Sequence, residues 1–260
     1  MPTSAPGLSY VTVRATLPAQ PFPALADRPP LVTERLLIRA PTADDLAGLH
    51  EMRTEPDTMV FTAQGVVDTD IEQGRKVLAR YLPPNDATTF NFSICLRETG
   101  EFIGMGGCHM VRGELGWPVI GYMFRKAFWG RGYATEFVRA FVAAWWALPR
   151  EEREVSVEAA TVLAPGVRLG AGSGGPGEET ESARGGPVAE HGTGDGADAR
   201  PAEELLTAIT AWNNPASQRI LAKCGFGPLR TWTEADFRDP TGQTPIELRC
   251  FGCTRPQAAE

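Results

Sequence analysis

The 260-residue chain has no apolar run near the roughly 18 residues that a bilayer-spanning helix needs. Its longest greasy stretch, Phe137 to Leu148, is interrupted by Arg139. The opening Met-Pro-Thr-Ser-Ala-Pro lacks both a basic n-region and an apolar h-region, which argues against secretion. Positive charge is also short. With 25 Lys and Arg against 32 Asp and Glu the net charge is −7, so no basic surplus exists with which to hold nucleic acid. Cysteine is sparse and odd in number: the five at positions 95, 108, 224, 250 and 253 suit reduced thiols in a cytoplasmic protein better than a disulfide framework.

Aromatic residues are missing from Ala164 to Glu203, a stretch that holds eleven of the 28 glycines. Residues 1–30 hold seven of the 22 prolines. Neither stretch can bury enough apolar surface to offset the entropy of ordering it. Both are therefore expected to be disordered, residues 1–30 as a proline-rich arm and 164–203 as an acidic insertion with seven acids against three arginines. Setting them aside leaves 190 residues, the size of one domain over 31–253, with a short tail at 254–260.

Within that domain Leu31 to Ala40 (LVTERLLIRA) reads as a strand. Thr42-Ala-Asp-Asp45 offers an N-cap and first-turn acids to a helix carrying Leu46, Leu49 and Met52, which Pro56 ends. A second helix spans about Asp70 to Leu82. Thr89 to Leu96, Phe102 to Met110 and Val119 to Phe124 are short β runs joined by turns, an antiparallel meander. From Tyr133 to Leu148 the residues Phe137, Phe141 and Trp145 recur at four-residue spacing, the mark of a helix with one apolar face. Glu152 to Leu163 is ambiguous between strand and helix. Leu205 to Trp212 reads as a buried strand, followed by a helix with Pro215 at its first position, Lys223 in its last turn and Gly225 past its end. Two strands, about Leu229 to Phe237 and Pro245 to Phe251, flank a turn at Asp239-Pro-Thr-Gly242. This order gives an α+β domain around one mixed sheet.

Chemistry concentrates at two helix starts. The strand Val119 to Phe124 runs into Arg125-Lys-Ala-Phe-Trp-Gly-Arg-Gly-Tyr-Ala-Thr-Glu136. Two glycines flanking an arginine let backbone N–H groups face outward, and the helix dipole adds positive potential, a geometry suited to phosphate or pyrophosphate. By itself a helix entry with two glycines is more often plain turn chemistry. No Gly-Lys-Ser/Thr follows, so this is not a P-loop, and a meander is not the βαβ unit of a dinucleotide fold. The second start is Trp212-Asn-Asn-Pro-Ala-Ser-Gln-Arg-Ile-Leu-Ala-Lys-Cys-Gly-Phe226. Asn214 and Ser217, three apart, can face one cavity beyond the preceding strand; Asn214 is also an ordinary N-cap. Other patterns carry less. Cys250-Phe-Gly-Cys253 ends a strand and has no second ligand pair, a poor redox or metal motif. Gly104-x-Gly-Gly107 inside a strand suggests a bulge or close backbone approach, and Glu136 supports its helix terminus.

Together the two segments resemble the GNAT acetyltransferases, in the branch similar to the bacterial ribosomal-protein N-terminal acetyltransferases. The likeness runs from about Leu31 to Phe251 outside the insertion. It includes Thr33-Glu-Arg-Leu-Leu-Ile-Arg39, the Gly121-Tyr122 strand, Trp129-Gly-Arg-Gly-Tyr-Ala-Thr-Glu136, and Asn214-x-x-Ser217 continuing to Lys223-Cys-Gly-Phe226. The resemblance implies a mixed, mostly antiparallel sheet of six to seven strands, helices on both faces and a V-shaped splay between two central strands. It implies that amides of Gly130, Arg131, Gly132, Tyr133, Ala134 and Thr135 hold the pyrophosphate of acetyl-CoA, with Arg131 adding charge. The pantetheine arm would pair with the exposed edge at Met123, Phe124 and Arg125. Asn214 would contact that arm and Ser217 would sit near the thioester sulfur. Trp129 departs from the Gln or Arg usual at the first position of the loop.

Acyl transfer by direct attack needs a neutral amine, a donor for the developing oxyanion and a proton or hydrogen bond for the leaving thiolate. Many family members place a tyrosine on the second helix as that acid; here the stretch offers Ile220 and Leu221, which leaves Ser217. Many relatives carry Glu before Ile-Gly-Tyr, where this chain has Val119, so Glu114, His109 or a water chain stand as alternative bases. The expected activity is acetyl-CoA-dependent N-acetylation of a primary amine, on a small molecule or a peptide or protein N-terminus, in a ternary complex. No metal, nucleic acid or membrane partner is expected, and the protein is expected to be a monomer or homodimer. The competing expectation is a non-catalytic acyl-CoA-binding module.

Overall fold

The computed structural model describes residues 8–163, 199–236, 238–239, 241 and 243–256. Most of the expected insertion, 164–198, and the end of the tail, 257–260, lie outside the described residues. The arm expected to be disordered is instead a strand from its tenth residue: Tyr10–Pro18 forms β1. Its prolines hide a period-two pattern in which Val13, Ala15 and Leu17 are buried while Thr12 and Thr16 are exposed.

The stretch read as one strand is a hairpin, β2 (Leu31–Val32) and β3 (Leu36–Arg39), because Thr33 turns the chain by bonding Leu36 through both its amide and its hydroxyl. Three helices follow: α1 (Leu46–Arg53), the single turn α2 (Pro56–Met59), which Pro56 opens rather than blocks, and α3 (Ile71–Ala79). The meander is β4 (Phe90–Leu96), β5 (Phe102–Met110) and β6 (Val119–Phe124). Next come α4 (Tyr133–Ala147), β7 (Arg150–Glu158), β8 (Arg200–Pro201), β9 (Leu206–Ala211), α5 (Pro215–Lys223), β10 (Gly227–Ala235) and β11 (Pro245–Cys253). The ambiguous segment is thus a strand through Glu158, closed by a 3-10 turn.

Eight strands make one sheet in the order β10-β11-β9-β6-β5-β4-β3-β2, one more than the upper expectation because of the β2–β3 split. Every neighbouring pair is antiparallel except β6 and β9. That parallel contact holds at Val119↔Thr207 and Ile120↔Ala208 and then stops. β6 runs on to Phe124 and β9 to Ala211, so the sheet opens into a V past Ile120.

The main core lies under α4 and α5, where Phe137, Phe141 and Trp145 stack along one helix face against Phe90 and Phe92. At about 1.5–3 kcal/mol for each buried large side chain, this face rather than intrinsic propensity holds α4 in place. A smaller cluster of Leu49, Met52, Leu78 and Met105 seats α1 and α3 on the other face. A separate three-stranded sheet, β7-β1-β8, packs Val13, Ala15 and Val157 with Trp117, Trp232 and Cys250 beside β9 and β11. The two ends of the segment between α4 and β9 are clamped: Arg150 Nη1 bonds both Glu204 oxygens at 2.7 and 2.8 Å, with both side chains about nine-tenths buried.

Candidate active site

The C-terminal end of β6 passes through a 3-10 turn into α4. The indole N–H of Trp129 donates to the Phe124 carbonyl at 2.7 Å, which folds the loop back onto the strand. Gly130 and Gly132 take φ of +72° and +84°, a conformation that costs a residue bearing a Cβ about 1–2 kcal/mol. Gly132 is the N-cap of α4 and no side chain caps the helix there. The first amides of α4 therefore keep their bonding capacity and their share of the dipole's positive charge.

Glu136 anchors this terminus. Its carboxylate accepts from Thr33 Oγ1 at 2.6 Å, the Arg35 amide at 2.9 Å and Arg35 Nε at 2.7 Å. Arg35 Nη1 reaches the Arg131 carbonyl at 2.9 Å, and its guanidinium lies 4.6 Å from the Tyr133 ring centre. Burial opposes ionisation of Glu136, but these bonds outweigh it and hold the carboxyl below its ordinary value. The Thr33-Glu-Arg and glycine-loop motifs are thus two halves of one contact.

A cavity of about 740 Å³ lies over the loop, with Thr33, Arg35, Gly132, Thr135, Arg139 and Lys223 in its wall. Arg139 donates to the Lys223 carbonyl at 3.2 Å, which ties the middle of α4 to the end of α5. Arg35, Arg139 and Lys223 give this wall three cations that the sequence motifs did not single out. The available signal was spacing, since Arg139 lies one helical turn beyond Thr135 on the same face. Arg131 behaves differently: its guanidinium sits over the Phe128 ring at 5.7 Å rather than in the cavity wall.

The splay corrects the expected strand edge. Arg125 N–H donates to Ile103 at 2.9 Å, so antiparallel alternation commits the backbones of Met123 and Arg125 to β5 and turns those of Tyr122 and Phe124 toward the gap. Of the three expected edge residues Phe124 faces the gap, and Tyr122 joins it. The Arg125 guanidinium is engaged by Glu51 and Glu101.

Across the gap, Asn214 Oδ1 caps α5 by accepting from the Ser217 amide at 3.1 Å. Ser217 Oγ lies 2.8 Å from the Tyr122 hydroxyl. Tyr122 stood inside a recognised motif without a role, because nothing local says that a strand residue will meet a helix residue 95 positions later. On the other face of β6, His109 rests on Gly121, with Cε1 and Nδ1 3.0 and 3.1 Å from where a Cβ would sit. Burial lowers its pKa, opposed by a bond to the Gly107 backbone. Glu114 precedes β6 at the far end from the splay, and burial and Glu234 raise its carboxyl. Burial pushes the Cys108 and Cys250 thiols up to about 12, and Cys250 and Cys253 are both buried and free. Among the described residues no cluster of three metal-ligating side chains occurs, and no helix is long and apolar enough to cross a membrane.

Comparison with known proteins agrees with this geometry. Residues 35–227 match the family described as the acetyltransferase (GNAT) domain. The uncharacterized N-acetyltransferase p20 of Bacillus licheniformis is 31% identical over 116 residues, which cover 43% of this chain and 63% of that relative, just under two thirds of its length. A GNAT-family acetyltransferase from Bacillus anthracis superposes with a TM-score of 0.55 at 17% identity, covering 87% of this chain and 98% of the other. RimL, a ribosomal L7/L12 alpha-N-protein acetyltransferase solved with coenzyme A, superposes with a TM-score of 0.57 at 12% identity, covering 87% and 98%. With the family match running through both helix starts and the splayed strands between them, the chain belongs to the GNAT acetyltransferase family.

Proposed function

We propose that the protein is an acetyl-CoA-dependent N-acetyltransferase that transfers an acetyl group to a primary amine, on a small molecule or a peptide or protein N-terminus, by direct attack in a ternary complex. One observation carries the reading: a helix start without a side-chain cap, opened by two left-handed glycines and rimmed by Arg35, Arg139 and Lys223, stands beside a splay whose two walls meet at Tyr122 and Ser217.

The amides from Gly130 to Thr135 take the pyrophosphate, because oriented N–H groups and the helix dipole favour an anion there. The cationic rim takes the remaining phosphate charge. The outward backbone groups of Tyr122 and the N–H of Phe124, whose carbonyl serves Trp129, receive the amides of the pantetheine arm, and Asn214, whose Oδ1 already serves the helix, has its NH₂ left to offer. Ser217 faces the sulfur. The acceptor approaches from the His109 face, where the ring's depressed pKa keeps it neutral and able to take the proton that the amine loses. Five free thiols are compatible with a reducing cytoplasm.

Val119 in place of a carboxylate favours a second reading, a module that binds acyl-CoA without turning it over. Calorimetry with acetyl-CoA, followed by a thiol-release assay over a panel of amines, separates the two: binding with release supports the enzyme, binding without release on every amine supports the module. Gly132→Glu places a strained, negatively charged residue at the helix start, and acetyl-CoA affinity is expected to fall at least about 100-fold. Unchanged affinity removes the loop assignment.

A further inference from the structure

The side-chain bond across the splay is held rigidly from both sides. Tyr122 packs edge-on against Phe137 at 6.5 Å between ring centres. The two rings come this close because residue 106 is glycine: a Cβ there would lie 2.7 Å from the Phe137 ring and 2.9 Å from Tyr122 Cβ. From the other wall, the Asn214 cap fixes the first turn of α5 and with it Ser217. On β9, two residues past Ala208, the last to pair with β6, the Thr210 hydroxyl is buried with no hydrogen-bond partner.

We propose that Tyr122 is a positioning residue of the acyl-transfer site: its O–H donates to Ser217 Oγ and so directs the Ser217 O–H at the sulfur of the departing coenzyme A. This inference rests on the acetyl-CoA reading above. A phenol is far more acidic than an aliphatic alcohol, so in a Tyr–Ser pair the phenol donates, and the serine proton stays free for a third group. In the reaction the amine nitrogen forms the new N–C bond, the C–S bond breaks, its electron pair goes to sulfur, and the amine's proton leaves to the base. Ser217 then hydrogen-bonds the thiolate. Tyr122 keeps its own proton: burial raises the phenol above its ordinary value of 10.0, and handing that proton to a thiolate, whose conjugate acid has a pKa of about 8.5, is uphill. The pair therefore stabilises the leaving group without acting as a proton source.

The test needs no acceptor amine. Free coenzyme A is bound to the protein and its thiol is titrated by thiolate absorbance, in wild type, Tyr122→Phe, Ser217→Ala and the double variant. Tyr122→Phe keeps the ring against Phe137, and Ser217→Ala breaks the same bond from the other side. The expected result is that Tyr122→Phe raises the bound thiol's pKa by roughly half to one unit, the worth of one net hydrogen bond. Ser217→Ala should raise it at least as much, with no further rise in the double variant. Affinity for coenzyme A at acidic pH, where the thiol is protonated, should change less than about two-fold. An unshifted titration in Tyr122→Phe, or additive shifts in the double variant, overturns the proposal. Failure of the wild type to bind coenzyme A overturns the acetyl-CoA reading and this inference with it, whereas tight binding with identical titrations overturns this inference alone.

Discussion

At residue 119 the side chain is valine, so β6 brings no carboxylate to the splay, and the imidazole resting on Gly121 takes on the question of proton removal. Burial is the larger influence on His109, and it pulls the pKa below 6.5. The ring is thus in its basic form at neutral pH. The expected acid limb of kcat/KM falls below pH 6.5, and His109→Gln removes that limb while lowering turnover about 100-fold. A limb that persists in the variant gives the proton to water instead. Single residues were legible where their role is local. Asn214 and Ser217 announce themselves by spacing at a helix start, and Gly130 and Gly132 by flanking an arginine at another. Tyr122 and Arg35 matter through partners 95 and 101 positions along the chain, and spacing does not encode those meetings.

At the scale of elements, hydrophobic period located the helices well and the prolines misled. α4 was legible because three aromatics repeat every four residues. β1 was not, since the prolines around it outweighed the alternation of Val13, Ala15 and Leu17. The β1–β7–β8 unit is held to the domain by its apolar cluster with Trp117, Leu205, Trp232 and Cys250, and the Arg150–Glu204 clamp adds a buried ion pair between the start of β7 and the approach to β9. Burial drives the Glu204 carboxyl up to about 7 despite Arg150 and the Trp145 indole. The sign follows: the folded state holds this proton more tightly than the unfolded chain, so the contribution to stability is fullest below the ordinary value of 4.5 and is lost as pH rises through about 7. Glu204→Gln is expected to flatten the stability profile across that window. Arg150→Met strands a buried carboxylate and is expected to cost about 3–5 kcal/mol at about pH 8 and clearly less at about pH 5, as read by urea denaturation. An equal loss at both pH values would mean that packing, not charge, holds the clamp.

Across the whole molecule, two cores divide the work. One sits under α4 and α5 and takes in Leu206 and Ala208 of β9; the other joins the three-stranded sheet to β9 and β11. Within the main core β6 and β9 touch through a parallel contact two residue pairs long. The general architecture was legible from element order, while the second sheet depended on pairing between segments roughly 140 residues apart, as at Tyr10↔Glu158, which no local pattern reports. The short β6–β9 contact also leaves an edge inside an eight-stranded sheet. Amide hydrogen exchange is expected to show it as an alternation along β6: Met123 and Arg125, bonded to β5, exchange slowly, while Tyr122 and Phe124, alternating with them, exchange like the rim of the sheet. A ligand that fills the gap with main-chain-like amides becomes, for as long as it stays, the missing strand. The fast and slow positions should then merge into one protected run.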